Sequence, residues 1–141
     1  MKVFRLAVVC CLISIFAILP FEAKNLESAG KCKAANLKDE YANAKSVFVG
    51  EILNVASDGD VKTFTFKVEK YWKGTADKEV EVNVQQTMRY QAWFKVGEKY
   101  LVFARGTETD EKLWERRCSR TKRLVDASED LQQLGKGKKS R

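Results

Sequence analysis

Five segments of the chain carry the residue patterns of β-strands, and these patterns limit the fold more than any other feature. Apolar and polar side chains alternate through Val61–Trp72 and Glu79–Val84, which predicts strands with one buried face. Val47–Val55 and Lys99–Arg105 are apolar on both faces over part of their length, which is typical of central strands. Lys112–Cys118 is a fifth, shorter strand candidate. The chain is therefore expected to fold as a mainly β protein.

Helical patterns lie on either side of the strands, in Leu37–Ala44 and Leu124–Leu134. Each carries an apolar stripe at helical spacing. The stripes consist of Leu37, Tyr41 and Ala44 in the first segment and of Leu124, Ala127, Leu131 and Leu134 in the second. A glycine inside the first strand, Gly50, predicts a bulge or sharp bend of the kind that closed barrels need.

These elements together predict a mainly β fold, an OB-like five-stranded antiparallel barrel with a short N-terminal helix and a C-terminal helix. A lipocalin would need about eight strands, and an immunoglobulin-like sandwich would need about seven. With 141 residues and neither an internal repeat nor a domain boundary, the mature chain is expected to form a single domain.

The N-terminal segment Met1–Ala23 is read as a secretory signal peptide. Two basic residues precede an apolar run that is shorter than the roughly 20 residues needed to cross a bilayer. The cut falls after Ala23 or after Gly30, and an uncleaved membrane anchor is the alternative. Cleavage leaves residues 24–141 as a secreted protein, or a periplasmic one if the source is bacterial, without a stable membrane anchor.

Cleavage also changes the cysteine count. Cys10 and Cys11 lie in the apolar run and leave with it, so the mature chain keeps only Cys32 and Cys118. An even count in an oxidising compartment predicts one disulfide, and two free buried thiols are the alternative.

The composition argues against an enzyme. The chain has no histidine, which excludes Ser-His-Asp and Cys-His catalytic arrangements and zinc sites that contain histidine. The carboxylates offer no catalytic pair, because Glu79 and Glu81 share the outward face of a strand and Asp58 and Asp60 lie in a turn. We therefore predict no catalytic residue, no cofactor and no metal site.

The formal net charge is +7, and one cluster of basic residues is a candidate anion-binding site. The candidate anion-binding residues surround Cys118 and are Arg116, Arg117, Arg120, Lys122 and Arg123. Together with the basic tail, residues 136–141, they could bind a sulfated glycan or acidic lipid, and a solvated basic rim is the alternative.

Aromatic residues raise the question of base stacking, which is common on OB barrels. Nucleic acid is not expected as a partner, because the phenylalanines alternate as a core face and the chain is exported. Tyr90, Trp93 and Phe94 lie in a loop between strands and form either an exposed patch or a cap on the core.

Several stretches in order resemble one known family. They are KCK, VFVGEIL, FKVEKYWKG, FKVGEKYLVFA, CSRTKRL and ASEDLQQLG, which run from Cys32 to about Gly135. In this combination they resemble the netrin-like, tissue-inhibitor-of-metalloproteinases (TIMP) domain family. The resemblance implies an OB barrel with a packed helix and a disulfide between Cys32 and Cys118. The chain departs from the family at Gly30, where members carry the first cysteine of a Cys-x-Cys motif, and in Arg89–Ala92, which lacks that cysteine's partner.

The resemblance also implies a function. TIMP-like inhibitors chelate the zinc of a metalloprotease with the amino group and carbonyl of an N-terminal cysteine. This chain has no cysteine at that position, but a cut after Gly30 would leave Lys31 as the free terminus next to Cys32. Lys31, Cys32 and Lys33 therefore become the candidate target-binding residues. We expect a secreted, monomeric, non-catalytic module that binds a metalloprotease or another extracellular protein. The alternative is an adhesion or polyanion-binding module without inhibitory activity.

Overall fold

A β-barrel with two short helices makes up the part of the chain that the computed structural model describes, which is residues 32–33, 35–74, 76–88, 92–106 and 111–141. The signal peptide predicted at Met1–Ala23 lies outside these residues. In chain order the helices and strands are α1 (Leu37–Asn43), β1 (Ser46–Asp58), β2 (Val61–Lys73), β3 (Glu79–Gln85), β4 (Lys99–Gly106), β5 (Leu113–Glu115), β6 (Lys122–Arg123), α2 (Ser128–Leu134) and β7 (Lys138–Lys139).

The barrel closes because β1 pairs with two strands at once. The order around the barrel is β1-β2-β3-β5-β4, and the pairing of β1 with β4 completes the circle. This confirms the predicted OB-like five-stranded barrel with a helix before and a helix after it. Four of the five pairings are antiparallel, as predicted, and the β3–β5 pairing is parallel. The short strands β6 and β7 lie outside the closed circle, on β4 and β2 respectively.

Gly50 allows the close approach and the bend that β1 needs in order to pair with both β2 and β4. The register between β1 and β2 shifts between Val49 and Gly50. A Cβ atom at Gly50 would lie 2.9 Å from the backbone oxygen of Lys67 and 3.3 Å from the Cβ of Phe66. The neighbouring strand therefore approaches to a distance that only glycine permits, and the predicted irregularity at Gly50 is confirmed.

The barrel interior is filled by the alternating residues of β2 and β3 and by aromatic rings. Phe64, Phe66 and the three valines of β3 are buried, as the alternation predicts. Phe94 lies across the barrel opening, with its ring edge-on to Phe64 at 5.1 Å and to Tyr100 at 4.9 Å between centroids. Such edge-to-face contacts add to the stabilisation from burial alone. Phe94 thus caps the core.

A second core lies outside the barrel, beneath the two helices. Val47, Val49, Leu101 and Phe103 point away from the barrel interior and are fully or almost fully buried. The predicted helical stripes cover them, through Leu37, Tyr41, Ala44, Leu124, Ala127, Leu131 and Leu134. This second layer is the physical reason why β1 and β4 are apolar on both faces.

The C-terminal part differs from the prediction in two places. The segment Leu124–Leu134 is not one helix: a 3-10 turn covers Leu124–Asp126, and α2 begins at Ser128. Ala127 interrupts the helical backbone with φ −102° and ψ 9°, which keeps its side chain buried against the outer core. A strand that the sequence analysis did not predict, β7, forms in the basic tail on the edge of β2, and the lysines of the tail are exposed. Among the described residues, no helix is long and apolar enough to cross a membrane.

We expect Gly50→Ala to destabilise the protein by about 2 kcal/mol, because the added methyl group must displace the β2 backbone. Chemical denaturation monitored by tryptophan fluorescence measures this. Ser57→Ala, at an exposed position of the same strand, is the control and should change stability by less than about 0.5 kcal/mol. Equal stability of the two variants would contradict the close approach at Gly50.

The phenol of Tyr100 supplies a second test of the core. It donates to Glu98 Oε2 at 2.8 Å and accepts from the Lys95 backbone nitrogen at 3.0 Å. Burial, together with the hydrogen bond to Glu98, raises the pKa of Tyr100 to about 12. The difference in ultraviolet absorbance between wild type and Tyr100→Phe should therefore titrate near pH 12 instead of near 10.

The raised pKa of Tyr100 also predicts a loss of stability in alkali. Because this pKa is higher in the folded state, the contribution of the phenol is fully present below the unfolded pKa and disappears as pH rises towards 12. The stability difference between wild type and Tyr100→Phe, measured by urea denaturation, should shrink over that range. A difference that stays constant between the unfolded pKa and the folded pKa would show that the phenol is not shielded from solvent.

Candidate functional site

A disulfide fastens the start of the described chain to the barrel. Cys32 and Cys118 are bonded, with Cα atoms 5.0 Å apart and 86 positions apart in sequence. This is the pairing that the family resemblance implies. Cys118 lies in the turn between β5 and β6 with a φ of 66°, a left-handed conformation that is uncommon for a residue with a side chain. The bond places Cys32 at an exposed site beside this turn.

Arg120 provides a second attachment for the same N-terminal segment. Its Nη1 donates to the backbone oxygen of Ala35 at 3.0 Å. Its other guanidinium nitrogens donate to the carboxylate of Asp130 on α2. One arginine therefore connects the N-terminal segment, the turn after Cys118 and the C-terminal helix.

Asp130 is the centre of this connection. Its side chain is completely buried, and its Oδ2 lies 2.9 Å from Lys122 Nζ. Burial alone would raise its pKa, but the hydrogen bonds and positive charges of Arg120 and Lys122 outweigh burial, so the pKa of Asp130 lies below its ordinary value. Asp130 in turn raises the pKa of Arg120.

The predicted anion-binding cluster is consequently divided. Arg120 and Lys122 face Asp130, and Arg123 Nε lies 3.4 Å from Glu98 Oε2. Arg116 and Arg117 are exposed. At least three of the five cations are thus engaged with carboxylates of the protein itself, and the segment does not present one continuous cationic patch.

The candidate target-binding residues lie at the anchored segment. Cys32 and Lys33 are both exposed, on the chain shortly before Ala35. Lys31 lies outside the described residues. The disulfide and the Arg120–Ala35 bond therefore fix the position of an exposed, basic stretch of chain without burying it.

The candidate aromatic patch does not form as a unit. Phe94 is 9% exposed and belongs to the barrel core, whereas Trp93 is 41% exposed and packs on its outer side, 4.9 Å from the Phe94 centroid. Tyr90 lies outside the described residues. Trp93 alone presents an aromatic surface in the described part of this loop.

An open cleft of about 910 Å³ lies along β3, between Thr63 of β2 and Leu113 of β5. Thr63 Oγ1 donates to Asn83 Oδ1 at 2.7 Å, and Asn83 Nδ2 donates to the Leu113 backbone oxygen at 3.2 Å. The polar groups on its floor thus bond to one another. Its rim carries Glu79 and Glu81, and within the described ranges no group of three or more cysteine or acidic side chains is arranged to hold a metal ion.

Two buried carboxylates were not identified as important from the sequence. Asp130 follows a serine and a glutamate at the start of α2, where acidic residues are ordinary because they favour the helix N-terminus. Glu40 lies in α1 and pairs with Arg105 of β4 at 3.1 Å. Arg105 lies 65 positions from Glu40, and Arg120 lies 10 positions before Asp130 on a separate element, so it is the packing of these elements that brings the charges together.

A comparison of the chain with models of known protein families found no matching family. A search of curated protein sequences likewise found no significant match.

We expect acid to weaken the fold through Asp130. Because its pKa is lower in the folded state, its contribution is present above the unfolded pKa and is lost as pH falls through the folded pKa. Asp130→Asn should lower stability at pH 7 by about 3 kcal/mol, because it leaves two cations facing a neutral group. The loss should begin to shrink below the unfolded pKa of about 4 and should continue to shrink as pH falls through the lower folded pKa, where the folded wild type protonates as well.

Asp126→Asn is the matched control, since Asp126 is exposed on the neighbouring 3-10 turn. Thermal unfolding of both variants from acid to neutral pH separates the two carboxylates. If both variants showed the same pH dependence, Asp130 would not hold the buried charge network together. Should Asp130→Asn fail to fold, Lys122→Gln supplies a milder version of the test.

Proposed function

We propose that the protein is a secreted, non-catalytic protein-binding module of the netrin-like, TIMP-like type, and that it inhibits a metalloendopeptidase through its N-terminal segment. The observation that carries this proposal is the double attachment of that segment. The Cys32–Cys118 disulfide and the Arg120–Ala35 hydrogen bond hold an exposed stretch of chain against a rigid barrel. A rigid, exposed segment loses little conformational entropy when it binds.

The chemistry of the buried charges supports a binding role over a catalytic one. Glu40 and Asp130 are the fully buried carboxylates among the described residues, and each faces an arginine. Arg120 and Lys122 hold the pKa of Asp130 below its ordinary value, so this carboxylate does not serve as a general acid near neutral pH. The chain also has no histidine to serve as a base.

The mechanism depends on where the mature chain begins. A chain that starts at Lys31 would carry its free amine one residue before the anchored Cys32. The amine nitrogen and carbonyl oxygen of one terminal residue form a bidentate donor that fits the open coordination position of a catalytic zinc. A chain that starts at Lys24 would place seven further residues in front of this donor and remove the free amine from it.

The test compares two forms of the protein with defined N-termini, one at Lys31 and one at Lys24. Each is assayed against a panel of zinc endopeptidases with a fluorogenic peptide substrate. We expect the Lys31 form to inhibit at least one member, and the Lys24 form to be weaker by about tenfold or more, which corresponds to about 1.4 kcal/mol of lost binding.

Two variants of the Lys31 form serve as controls. Cys32→Ser combined with Cys118→Ser should weaken inhibition because it releases the segment, whereas Lys38→Gln, an exposed substitution on α1, should not. Equal inhibition by the Lys31 and Lys24 forms would reject the chelating mechanism. Absence of inhibition by both forms would reject the inhibitory function itself.

A further inference from the structure

The basic tail is held against the barrel at several points. Trp72 Nε1 donates to the Gly135 backbone oxygen at 3.0 Å, Ser140 Oγ donates to the Val68 backbone oxygen, and Arg141 N donates to the Ala76 backbone oxygen at 2.9 Å. Between these contacts β7 pairs with the edge of β2. The last residues of the chain are therefore part of the folded surface.

Gly137 makes this close approach possible. A Cβ atom at Gly137 would lie 2.6 Å from Lys70 Cγ and 2.9 Å from Trp72 Cε2. The tail backbone thus crosses directly over Trp72, at a distance that a larger residue would prevent. The indole is covered by backbone on this side.

The pairing places positive charges next to one another. Lys70 of β2 stands directly opposite Lys139 of β7, and Lys138 stands opposite Tyr71. Directly opposed like charges destabilise an antiparallel pair. We call the exposed cations along this edge the basic ladder; they are Lys70, Lys136, Lys138, Lys139 and Arg141.

The basic ladder differs from the cations around Cys118 in its electrostatic surroundings. Arg120, Lys122 and Arg123 each face a carboxylate within 4 Å. None of the ion pairs found between side chains of the described residues includes a member of the basic ladder. Lys70 and Lys139 therefore oppose each other directly, and no ion pair with a carboxylate side chain of the described residues offsets their repulsion.

We propose that the basic ladder is a binding site for a linear sulfated polysaccharide. The cations follow one edge of the sheet, and an extended chain with regularly spaced sulfates can contact them in succession. Each contact displaces a counterion, so binding gains from several weak pairs and falls with salt. This site is separate from the N-terminal segment of the proposed function and does not depend on it.

The surroundings of the ladder favour a glycan over a membrane or a nucleic acid. A membrane surface would call for apolar side chains that insert beside the cations. The large apolar side chains that are exposed in the described part of the chain lie elsewhere, at Leu53, Val55, Met88, Trp93, Val96 and Val125. Single-stranded nucleic acid would call for an open aromatic ring, but Trp72 lies beneath Gly137 and bonds to Gly135.

The test uses heparin oligosaccharides and isothermal titration calorimetry. Replacing Lys70, Lys138 and Lys139 together by glutamine should weaken heparin binding by about tenfold or more and reduce the slope of log affinity against log salt concentration. The matched control replaces three exposed cations away from the ladder, Lys38, Lys95 and Arg116, by glutamine. This control has the same net charge as the ladder variant. It should retain at least about half of the wild-type affinity for heparin, because its substitutions weaken only the long-range electrostatic attraction.

Gly137→Ala gives a variant that keeps every charge. Its methyl group should displace β7 from β2, so heparin binding should weaken although the net charge is unchanged. Near-ultraviolet circular dichroism of each variant verifies that the barrel stays folded. If Gly137→Ala weakens binding, the position of the cations matters and not only their number.

Three outcomes would overturn the proposal. The first is equal affinity of the ladder variant and the control for heparin. The second is unchanged binding to fully desulfated heparin, which would show that sulfates are not recognised. The third is binding to vesicles that contain phosphatidylserine, or to oligothymidine, more tightly than to heparin at the same salt concentration, which would assign the ladder to a membrane or a nucleic acid.

Discussion

The double pairing of β1 is the constraint on which the other features depend. Its first half is hydrogen-bonded to β4 on one edge and to β2 on the other, so neither edge of β1 is open there. The inner face fills the barrel, and the outer face must be covered by α1 and α2. The helices in turn determine where the N-terminal segment and the C-terminal tail meet the barrel.

The two ends of the described chain are attached by different physical means. The N-terminal segment is held by a covalent bond and by an arginine whose charge is balanced at Asp130. The tail is held by backbone hydrogen bonds and by the close approach at Gly137, and none of the ion pairs found between side chains of the described residues includes its lysines. The charge-balanced attachment holds the N-terminal segment in one conformation. The cations of the tail can gain free energy by binding an anion, as proposed above.

Patterns that are local in sequence predicted most of the fold. Alternation located β2 and β3, two-faced apolar runs located β1 and β4, and Gly50 located the bend, because each reflects burial of a residue and its near neighbours. The same local patterns could not show that Arg120 and Lys122 would face Asp130, or that Lys139 would stand opposite Lys70. Those contacts depend on how separate strands and helices pack against one another. The sequence around a basic residue does not show whether a carboxylate will lie beside it in the fold.

The position of the disulfide has a consequence for the durability of the protein in the presence of proteases. Cys32 precedes every strand of the barrel, and Cys118 follows the fifth. A single peptide-bond cleavage anywhere between them, including in the exposed Gly59 turn of the β1–β2 hairpin, leaves both fragments joined as one molecule. Cleavage before Cys32 instead detaches whatever precedes it. A single cleavage between the two cysteines therefore does not separate the barrel into fragments.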